Sequence, residues 1–469
     1  MLGSKSEENE GQLGIAGQLL RLSWPIAVSM LSYSLMTAVD TLFVGRSGAV
    51  AIAAVGLGGM VSFTLLTFAM GLLRGGKVIV AHSFGAGDHE KTTETARTNV
   101  ALAIVLSGLS LAATVAIAPL LRGAFDDTHA GDLVVLYVVV RAAAIPFFLV
   151  ACAIREVSQG IGDSEHPMRA ALAANFANIP LNALFVLGLH WGVVGSAIAN
   201  VLAQIIDLIW LCRKRWNWVR GLRIELGKVR AIVKLGWPLG VEMFLDVSAF
   251  AALAMIIAQF GATELAAHQI ALQVSQLTLL PVMALAEGAS VLGGQSSGAG
   301  RLADIRPIVR AGLAAGLALA AATSSVLITV PGMIATFFTS DPQVIPLAKL
   351  LIQIVCGFQL AFVPYAVGRA VLRGLGDLRY TACVTVGVAW ICTPTLGFIL
   401  GRLCGFGVVG GWCGLSLEIT VASALYFWRL EKGTWSHAAT RVHALDPDQS
   451  EAQTLVELES PALNVANEG

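Results

Sequence analysis

The second half of the chain repeats the first, motif by motif and in the same order. The segment LRLSWPI, around Trp24, returns 213 residues later as VKLGWPL, around Trp237. SFGAGD returns as SSGAGR, GIGD as GLGD, and GVVG as GVVG, while the offset drifts only from 213 to 215 residues. Self-similarity at a nearly fixed offset predicts that one structural unit occurs twice. The chain is therefore constrained to fold as two equivalent halves.

The composition indicates the medium in which these halves fold. Hydrophobic residues make up 56% of the chain, charged residues only 13%, and the mean hydropathy is +0.76. Twelve apolar runs are long enough to cross a hydrocarbon core of ~30 Å. They lie at roughly 19–44, 52–81, 98–121, 133–156, 168–189, 193–212, 231–259, 265–293, 307–337, 343–370, 380–401 and 408–429. We predict an all-α polytopic membrane protein with twelve transmembrane helices in two pseudo-symmetric six-helix lobes.

The spans and the charges between them give the predicted domains and orientation. The domains are a cytoplasmic N-terminal tail (1–18), an N-lobe (19–212), a basic cytoplasmic linker (213–230), a C-lobe (231–432) and a disordered acidic C-terminal tail (433–469). Basic residues concentrate in the loops after even-numbered spans, so the positive-inside rule places both termini in the cytoplasm. The polar start of the chain predicts no cleavable signal peptide. The expected location is a bacterial inner membrane, crossed several times.

A duplicated membrane bundle with a cleft between its halves is typical of secondary transporters. The sequence contains no GxxxxGK[ST] phosphate loop, so the protein is not expected to hydrolyse ATP. We expect it to be a transporter and not an enzyme, to use no cofactor, and to take its energy from a proton or sodium gradient. A net charge of zero argues against nucleic acid as a partner. The expected partners are small organic substrates and the lipid bilayer, with the monomer as the functional form.

The GIGD and GLGD motifs also match the GxGD signature of intramembrane aspartyl proteases. That chemistry needs a second aspartate facing the first. Both motifs fall in predicted basic loops, and no Tyr-Asp pair occurs in the chain. The glycines and the following aspartate are instead typical of a turn that precedes a helix.

Ionisable side chains at membrane depth are the candidate functional residues, because each costs ~2.5–3.5 kcal/mol even on insertion scales. Six acids qualify as lying at membrane depth: Asp40, Asp207, Glu242, Asp246, Glu287 and Glu418. Near the basic end of the sixth span, Asp207 is expected to pair with Arg213 or its neighbours. The role of Glu287 is open, and Glu418 has Arg141 or Lys349 as possible partners.

In the N-lobe, Asp40 is the leading candidate. The fifth span carries Asn175, Asn178 and Asn182 at i, i+3 and i+7, so the three amides share one helix face. A carboxylate that faces such a column can be held protonated or can accept hydrogen bonds. The alternative is that the amides only satisfy backbone groups loosened by Pro180, where the helix is expected to bend.

In the C-lobe, Glu242 and Asp246 stand at i and i+4 on the seventh span and so share one face. When two carboxylates lie this close together in a medium of low dielectric constant, ionising both costs a large amount of free energy. Either one could therefore carry a proton or bind a cation. The alternative for Glu242 is that it reaches the cytoplasmic interface, four residues after Pro238. The repeat places no acid opposite Asp246 or Asp40, which predicts different electrostatic roles for the two lobes.

Over residues 15–432 the chain resembles the multidrug and toxic compound extrusion (MATE) family, and its DinF-like branch in particular. The resemblance rests on LSWPI, VDTLFVGRSG, the GAG turns, GIGDSEHPMRAALAANFANIPLNALFVLG, GVVGSAIAN and AAHQIALQVS, which occur in the family's order and spacing. It implies twelve helices in two lobes, arranged as an inverted V around a central cavity. It also implies multidrug efflux, a form of xenobiotic transport that confers drug resistance, by antiport against protons or sodium.

The resemblance also implies roles for individual residues. Asp40 matches the aspartate implicated in cation coupling, and Asn178 matches an asparagine of the same cluster. Asn182 stands where many relatives have a second aspartate, and Asn200 where a hydroxyl residue is common. A single carboxylate favours a proton carrier over a sodium site. Asp246 matches the acidic position of the seventh helix.

The expected mechanism is alternating access driven by protonation of Asp40. Tyr33, Phe63, Phe244 and Glu287 are predicted to line the substrate cavity, with acids attracting cationic amphiphiles. Four alternatives stay open at this stage: an exporter of one dedicated metabolite, a flippase for lipids or lipid-linked sugars, a passive channel, and a non-transporting scaffold. A flippase would be expected to have a more basic central cavity.

Overall fold

The computed structural model describes residues 14–45, 49–124 and 128–444, and the described residues are almost entirely helical. The α-helices are α1 (Ile15–Gly45), α2 (Ala49–Gly85), α3 (His89–Ile117), α4 (Thr128–Ala142), α5 (Ile145–Gly160), α6 (Glu165–Asn182), α7 (Gly192–Arg220), α8 (Leu226–Ala258), α9 (Ala262–Gly298), α10 (Ile305–Thr329), α11 (Pro331–Phe338), α12 (Val344–Gly374), α13 (Leu378–Phe398), α14 (Gly407–Lys432) and α15 (Ser436–Ala444). Short 3₁₀ turns cover Ala118–Ala124 and Leu302–Asp304.

The number of membrane spans agrees with the prediction. Eleven described helices are long and apolar enough to cross a bilayer, and the count is twelve if α4 and α5, bent by 48°, form one span. This pair is the fourth predicted span, and the ninth predicted span, 307–337, is divided between α10 and the short helix α11. The all-α polytopic fold in two halves is confirmed.

The duplication extends to irregular local geometry. Pro180 lies inside α6, and that helix continues into a π-helical segment, Ala183–Gly188. Pro394, which is 214 positions later, lies inside α13, followed by the π-helical segment Ile399–Leu403. Proline removes one backbone donor and disturbs the turn of helix that precedes it. Both lobes therefore interrupt the same helix in the same way.

The two GxGD turns are stabilised in the same way. Gly162 and Gly376 adopt φ of 85° and 89°, a left-handed conformation that glycine tolerates best. The aspartate that follows Gly162, Asp163, forms an ion pair with Arg215 at 2.5 Å. The aspartate that follows Gly376, Asp377, pairs at 2.8 Å with Arg429. These motifs are structural turns, each locked to a later helix of its own lobe.

The lobes approach each other through glycines. A Cβ atom on Gly75 of α2 would lie 2.8 Å from the backbone nitrogen of Gly236 on α8. A Cβ on Gly288 of α9 would overlap the Ser23 hydroxyl of α1. The second contact is the pseudo-symmetric counterpart of the first, because Gly288 and Gly236 follow Gly75 and Ser23 by 213 positions. These close contacts lie toward the end of the bundle that carries the GAG and GxGD turns, called here the basic end.

Side chains also reach across the lobes at the basic end. His82 Nε2 of α2 donates a hydrogen bond to the Gly374 carbonyl, and Gln295 Nε2 of α9 donates one to the Gly160 carbonyl, each at 2.9 Å. His82 and Gln295 are repeat equivalents, and so are Gly160 and Gly374. Each lobe therefore holds the GxGD turn of the other.

Helices extend into two segments that the sequence predicted to be a linker and a disordered tail. The linker 213–230 is largely helical, because α7 runs to Arg220 with a kink at Arg215 and α8 begins at Leu226. In the predicted disordered tail, residues 436–444 form α15. Its buried residues, together with Trp435, follow helical spacing: Trp435, Ala438, Ala439 and Val442. Residues 1–13 and 445–469, which hold most of the two predicted tails, lie outside the described residues.

Candidate transport site

A cavity of about 410 Å³ lies in the N-lobe, with one wall from the C-lobe. It is lined by α1, α2, α4, α5 and α7, and by α9 of the other lobe. Of the predicted lining residues, Tyr33, Phe63 and Glu287 are present. Phe244 does not line this cavity and is 39% exposed on α8. Much of the apolar wall is methionine and phenylalanine: Met30, Met36, Met70, Met283, Phe63 and Phe148.

Asp40 is buried and held by amides from two neighbouring helices. Asn182 Nδ2 on α6 donates to Asp40 Oδ1 at 2.8 Å, and Asn200 Nδ2 on α7 donates to Asp40 Oδ2 at 3.1 Å. Asn200 also lines the cavity. Only the Asn200 side chain therefore lies between the Asp40 carboxylate and the cavity. The predicted clustering of Asp40 with Asn182 and Asn200 agrees with this geometry.

The other two asparagines of α6 differ in role. Asn178 Oδ1 accepts from Asn182 Nδ2 at 3.0 Å, and the backbone carbonyl of Asn178 accepts from the same amide at 3.1 Å. The amides therefore serve both the carboxylate and the backbone near Pro180. Asn175 is separate, because its Nδ2 donates to the Ser32 carbonyl at 2.5 Å and to the Ser32 hydroxyl. It ties α6 to α1 rather than contacting Asp40.

The Asp40 network has unused hydrogen-bonding capacity. Asn182 Oδ1 is buried and has no hydrogen-bond partner within the described part of the chain. Buried polar atoms without partners are uncommon in folded proteins. An unused acceptor beside Asp40 is what a protonated carboxyl, which must donate, would need.

Arg141, at the end of α4, brings a positive charge to the same site. Its Nη1 donates to the Tyr137 hydroxyl at 3.0 Å, and it lines the cavity. It also interacts electrostatically with Asp40. The suggested pairing of Arg141 with Glu418 is wrong: Glu418 accepts a hydrogen bond from Thr393 in the C-lobe, and no described ion pair joins it to Arg141 or Lys349.

A second, largely buried group of contacts joins Tyr33, Arg155 and Asp207. Arg155 Nη2 contacts Asp207 Oδ2 at 2.6 Å, and the Tyr33 hydroxyl donates to the same oxygen at 3.2 Å while accepting from Arg155. The expectation that Asp207 pairs with Arg213 or its neighbours is wrong. Arg155 lies within α5 rather than in a loop, so it can pair with Asp207 inside the lobe.

A network of four charges forms the part of the cavity wall where the lobes meet. Arg74 of α2 lies 3.3 Å from Glu156 of α5 and 3.1 Å from Glu287 of α9, and Lys77 lies 3.3 Å and 2.8 Å from the same two acids. Arg74 and Glu287 are repeat equivalents, 213 positions apart. The role of Glu287 left open by the sequence is thus an ion pair across the pseudo-symmetry axis.

The C-lobe acids are paired with arginines. Glu242 is fully buried and lies 2.6 Å from Arg373 and 3.6 Å from Arg369, while Asp246 lies 3.4 Å from Arg369. Arg369 also donates to the Tyr365 hydroxyl at 2.7 Å. Glu242 therefore does not reach the interface, and the two acids are not an isolated carboxylate pair. Each has a cation to balance it.

The largely buried arginines of α5 and α12 contact the candidate site residues, and sequence reasoning missed them. The positive-inside rule counts Arg155 and Arg373 among cytoplasmic loop charges, because they stand within a few residues of the GxGD turns. The repeat held a usable signal: Arg155 and Arg369 are 214 positions apart and belong to the same motif-bearing helix in each lobe. A cation preserved in both halves is a better candidate for a buried role than an isolated loop charge.

Comparisons with known proteins agree with this architecture. The chain is 26% identical over 440 residues to the probable multidrug resistance protein NorM of Pasteurella multocida (strain Pm70), covering 89% of this chain and 94% of that protein. It superposes with TM-score 0.83 on an outward-facing multidrug resistance MATE family transporter of the MOP superfamily, at 21% identity, over 92% of this chain and 97% of that one. The same TM-score and coverage hold, at 20% identity, for a MOP superfamily transporter from Pyrococcus furiosus, described as having a binding pocket of reverse polarity.

The family model described as MatE matches residues 25–184 and 238–399, one range in each lobe. Together these ranges span more than half of the sequence, so the chain belongs to the MatE family.

Proposed function

We propose that this protein is a secondary active multidrug exporter that expels cationic or amphipathic organic compounds by antiport with protons. The name of the Pasteurella relative supports multidrug efflux, and family membership supports transport rather than enzymatic catalysis. The resemblance to the DinF-like branch remains a prediction. The protein would act as a monomer in a bacterial inner membrane, with the basic end facing the cytoplasm.

The observation that carries the proposal is the buried carboxylate of Asp40, enclosed by amides and one residue from the cavity. Ionised, it accepts hydrogen bonds from Asn182 and Asn200. Protonated, it must donate, so at least one of these bonds is lost or one amide turns over. The unused oxygen of Asn182 is a ready acceptor for that arrangement. Proton uptake thereby changes the contacts between α1, α6 and α7.

Two features favour a proton over sodium at Asp40. Both carboxylate oxygens face amide nitrogens, whereas a sodium ion would require oxygen ligands turned toward it. Arg141 already supplies a positive charge to this carboxylate.

The way the lobes touch supports alternating access. The glycine contacts and the reciprocal hydrogen bonds join them at the basic end, so this conformation is closed there. With that end in the cytoplasm, the cavity would open outward. A proton returning inward supplies ~2.3 kcal/mol per charge per 100 mV of membrane potential, before any pH difference is counted.

The cavity wall supports a broad substrate range. Four methionines and two phenylalanines give a flexible, polarisable surface that can fit differently shaped apolar groups. A volume of about 410 Å³ falls within the usual range of small-molecule pockets.

A flippase or a carrier of one dedicated metabolite is the second candidate. The cavity lining contains three arginines and two glutamates, so it is more basic than the sequence indicated. Two of those arginines, Arg74 and Arg155, are neutralised by ion pairs. A single residual cation is less than a lipid phosphate or pyrophosphate carrier would be expected to need, so multidrug export is preferred.

Transport by purified protein in proteoliposomes tests the proposal. Ethidium accumulation is followed under an imposed pH gradient or an imposed sodium gradient, with Asp40→Asn and Asp246→Asn compared in parallel. The pH gradient should drive accumulation in the wild type and in Asp246→Asn, and at least tenfold more slowly in Asp40→Asn. Asp132→Asn, which removes an exposed carboxylate, is the matched control.

Two results would contradict the proposal. Accumulation by Asp40→Asn at the wild-type rate would exclude Asp40 as the proton carrier. Accumulation driven by sodium alone would reject proton coupling and make Asp246 the leading candidate.

A further inference from the structure

Arg141 differs from every other charged residue that lines the cavity. Arg74, Glu156 and Glu287 share one ion-pair network with Lys77, and Arg155 is paired with Asp207. For Arg141, no carboxylate within the described ranges lies at ion-pair distance. Its one hydrogen-bond partner there is the neutral hydroxyl of Tyr137, and its guanidinium lies 5.8 Å from the centre of that ring.

The charges around Arg141 leave Asp40 as its counter-charge. From α2, Arg74 and Lys77 are occupied by the two glutamates of the network. From α7, Asp207 is occupied by Arg155. From its own helix and from α1, Arg141 interacts electrostatically with Tyr137 and Asp40. The guanidinium therefore has a full negative partner only while Asp40 is ionised.

Protonation of Asp40 would leave this cation uncompensated beside an apolar cavity. A guanidinium recognises carboxylate, sulfonate and phosphate groups through paired N–H donors, and burial strengthens such contacts. The rest of the wall supplies aromatic and methionine side chains for an apolar body, with Ser29, Thr37 and Ser62 as polar neighbours. Charge and shape thus suit an amphiphile with one acidic group.

We infer that Arg141 forms a binding site for the acidic group of an aromatic sulfonate or carboxylate, a site that is available when Asp40 is protonated. This inference rests on the protonation of Asp40 in the proposed function. Because the acidic compound and the proton bind together, the proton does not displace the compound. Such compounds are therefore inhibitors that hold the protonated transporter, whereas cationic compounds compete with the proton and are exported.

Equilibrium binding of a fluorescent sulfonate tests the site without relying on transport. The probe is 5-(dimethylamino)naphthalene-1-sulfonate, and the corresponding neutral sulfonamide is the control ligand. The protein is held in nanodiscs of phosphatidylcholine, and binding is measured between pH 5.5 and 8.5. Nanodiscs that contain phosphatidylglycerol show whether an anionic lipid headgroup competes for Arg141.

The wild type should bind the sulfonate about tenfold more tightly at the acidic end of the range, with no such trend for the neutral sulfonamide. Arg141→Gln should lose this preference, and Arg141→Lys should keep part of it, which separates charge from folding. Asp40→Asn should bind the sulfonate tightly at every pH. Arg402→Gln, at an exposed arginine outside the cavity, is the matched control.

Several outcomes would overturn the inference. Equal sulfonate affinity in the wild type and Arg141→Gln would exclude the site. Wild-type binding that is independent of pH would exclude its dependence on Asp40. Displacement of the sulfonate by phosphatidylglycerol alone, with no effect of Arg141→Gln, would assign the signal to the lipid surface. The proposed efflux function could survive all three results, because it is tested by the ethidium experiment.

Discussion

At the scale of single residues, the charges of this protein are organised as balanced groups. Asp207 and Glu242 are buried and Glu287 is half-buried, and each lies beside at least one cation. Removing one partner of a buried pair costs far more than the pair itself contributes, because an uncompensated charge remains. Asp40 has amide partners and a nearby arginine but, among the described residues, no direct ion pair. This difference makes it the residue most suited to changing its protonation state.

Asp163, in the loop between α5 and α6, illustrates a purely structural acid. Burial alone would raise the pKa of Asp163, but hydrogen bonds and charge from Lys214 and Arg215 outweigh it and lower that pKa below its ordinary value. A lowered pKa in the folded state contributes stability that is present above the ordinary carboxylate pKa. That contribution is lost as the pH falls through the folded-state value.

We therefore expect Asp163→Asn to lower the free energy of unfolding by about 1 kcal/mol at pH 7. The difference from the wild type should shrink as the pH is lowered below about 4. Thermal unfolding in detergent measures both effects, with Asp132→Asn as an exposed control. A difference that stays constant down to pH 3 would show that ionised Asp163 does not stabilise the fold.

At the scale of helices, the sequence predicted most of the features that depend on the thickness and polarity of the bilayer. Span positions follow from apolar length, and the pairing of Asp40 with Asn182 and Asn200 follows from helical spacing and family resemblance. The burial of Arg155 and Arg373 could not be read from the sequence. A charge near a span end satisfies the positive-inside rule equally well in a loop or inside the lobe, and tertiary packing decides between them. The helix α15 could not be predicted either, because its apolar stripe is too short to distinguish it from a polar tail in the sequence.

Close helix packing between the lobes gives a test at this scale. Gly75→Ala should push α2 away from α8, because its Cβ would lie 2.5 Å from the Ile232 carbonyl oxygen. Gly56→Ala on the same helix should have no effect, since no atom lies within 4 Å of its added Cβ. Spin labels at positions 88 and 301, on the two GAG turns, should report a longer distance only in Gly75→Ala. Unchanged distances in both variants would show that this contact does not hold the basic end closed.

At the scale of the whole molecule, duplication has produced one architecture with two electrostatic schemes. The turns, the proline-linked π-helical segments and the interlobe glycines are repeated. The acids are not: Asp40 is surrounded by amides, whereas Glu242 and Asp246 face arginines. Only at the axis between the lobes do equivalent positions meet, where Arg74 and Glu287 carry opposite charges and pair with each other.

Exchanging those two charges tests their role in joining the lobes. Arg74→Glu and Glu287→Arg should each reduce ethidium accumulation and thermal stability, because each leaves like charges in contact with Glu156 or Lys77. The double exchange should recover part of both, since the guanidinium introduced on α9 could then pair with the carboxylates of α2 and α5. A double-mutant cycle measures the coupling. Strictly additive losses would show that the pair does not act across the interface.

The reciprocal bonds from His82 and Gln295 have a consequence for the kinetics of opening. Each bond runs from one half to the GxGD turn of the other, so both bonds span the same interface. Separation of the halves severs both together, so the barrier is concentrated in a single cooperative step. Opening at the basic end should accordingly be all-or-none, with no half-open intermediate that leaks protons through the bundle.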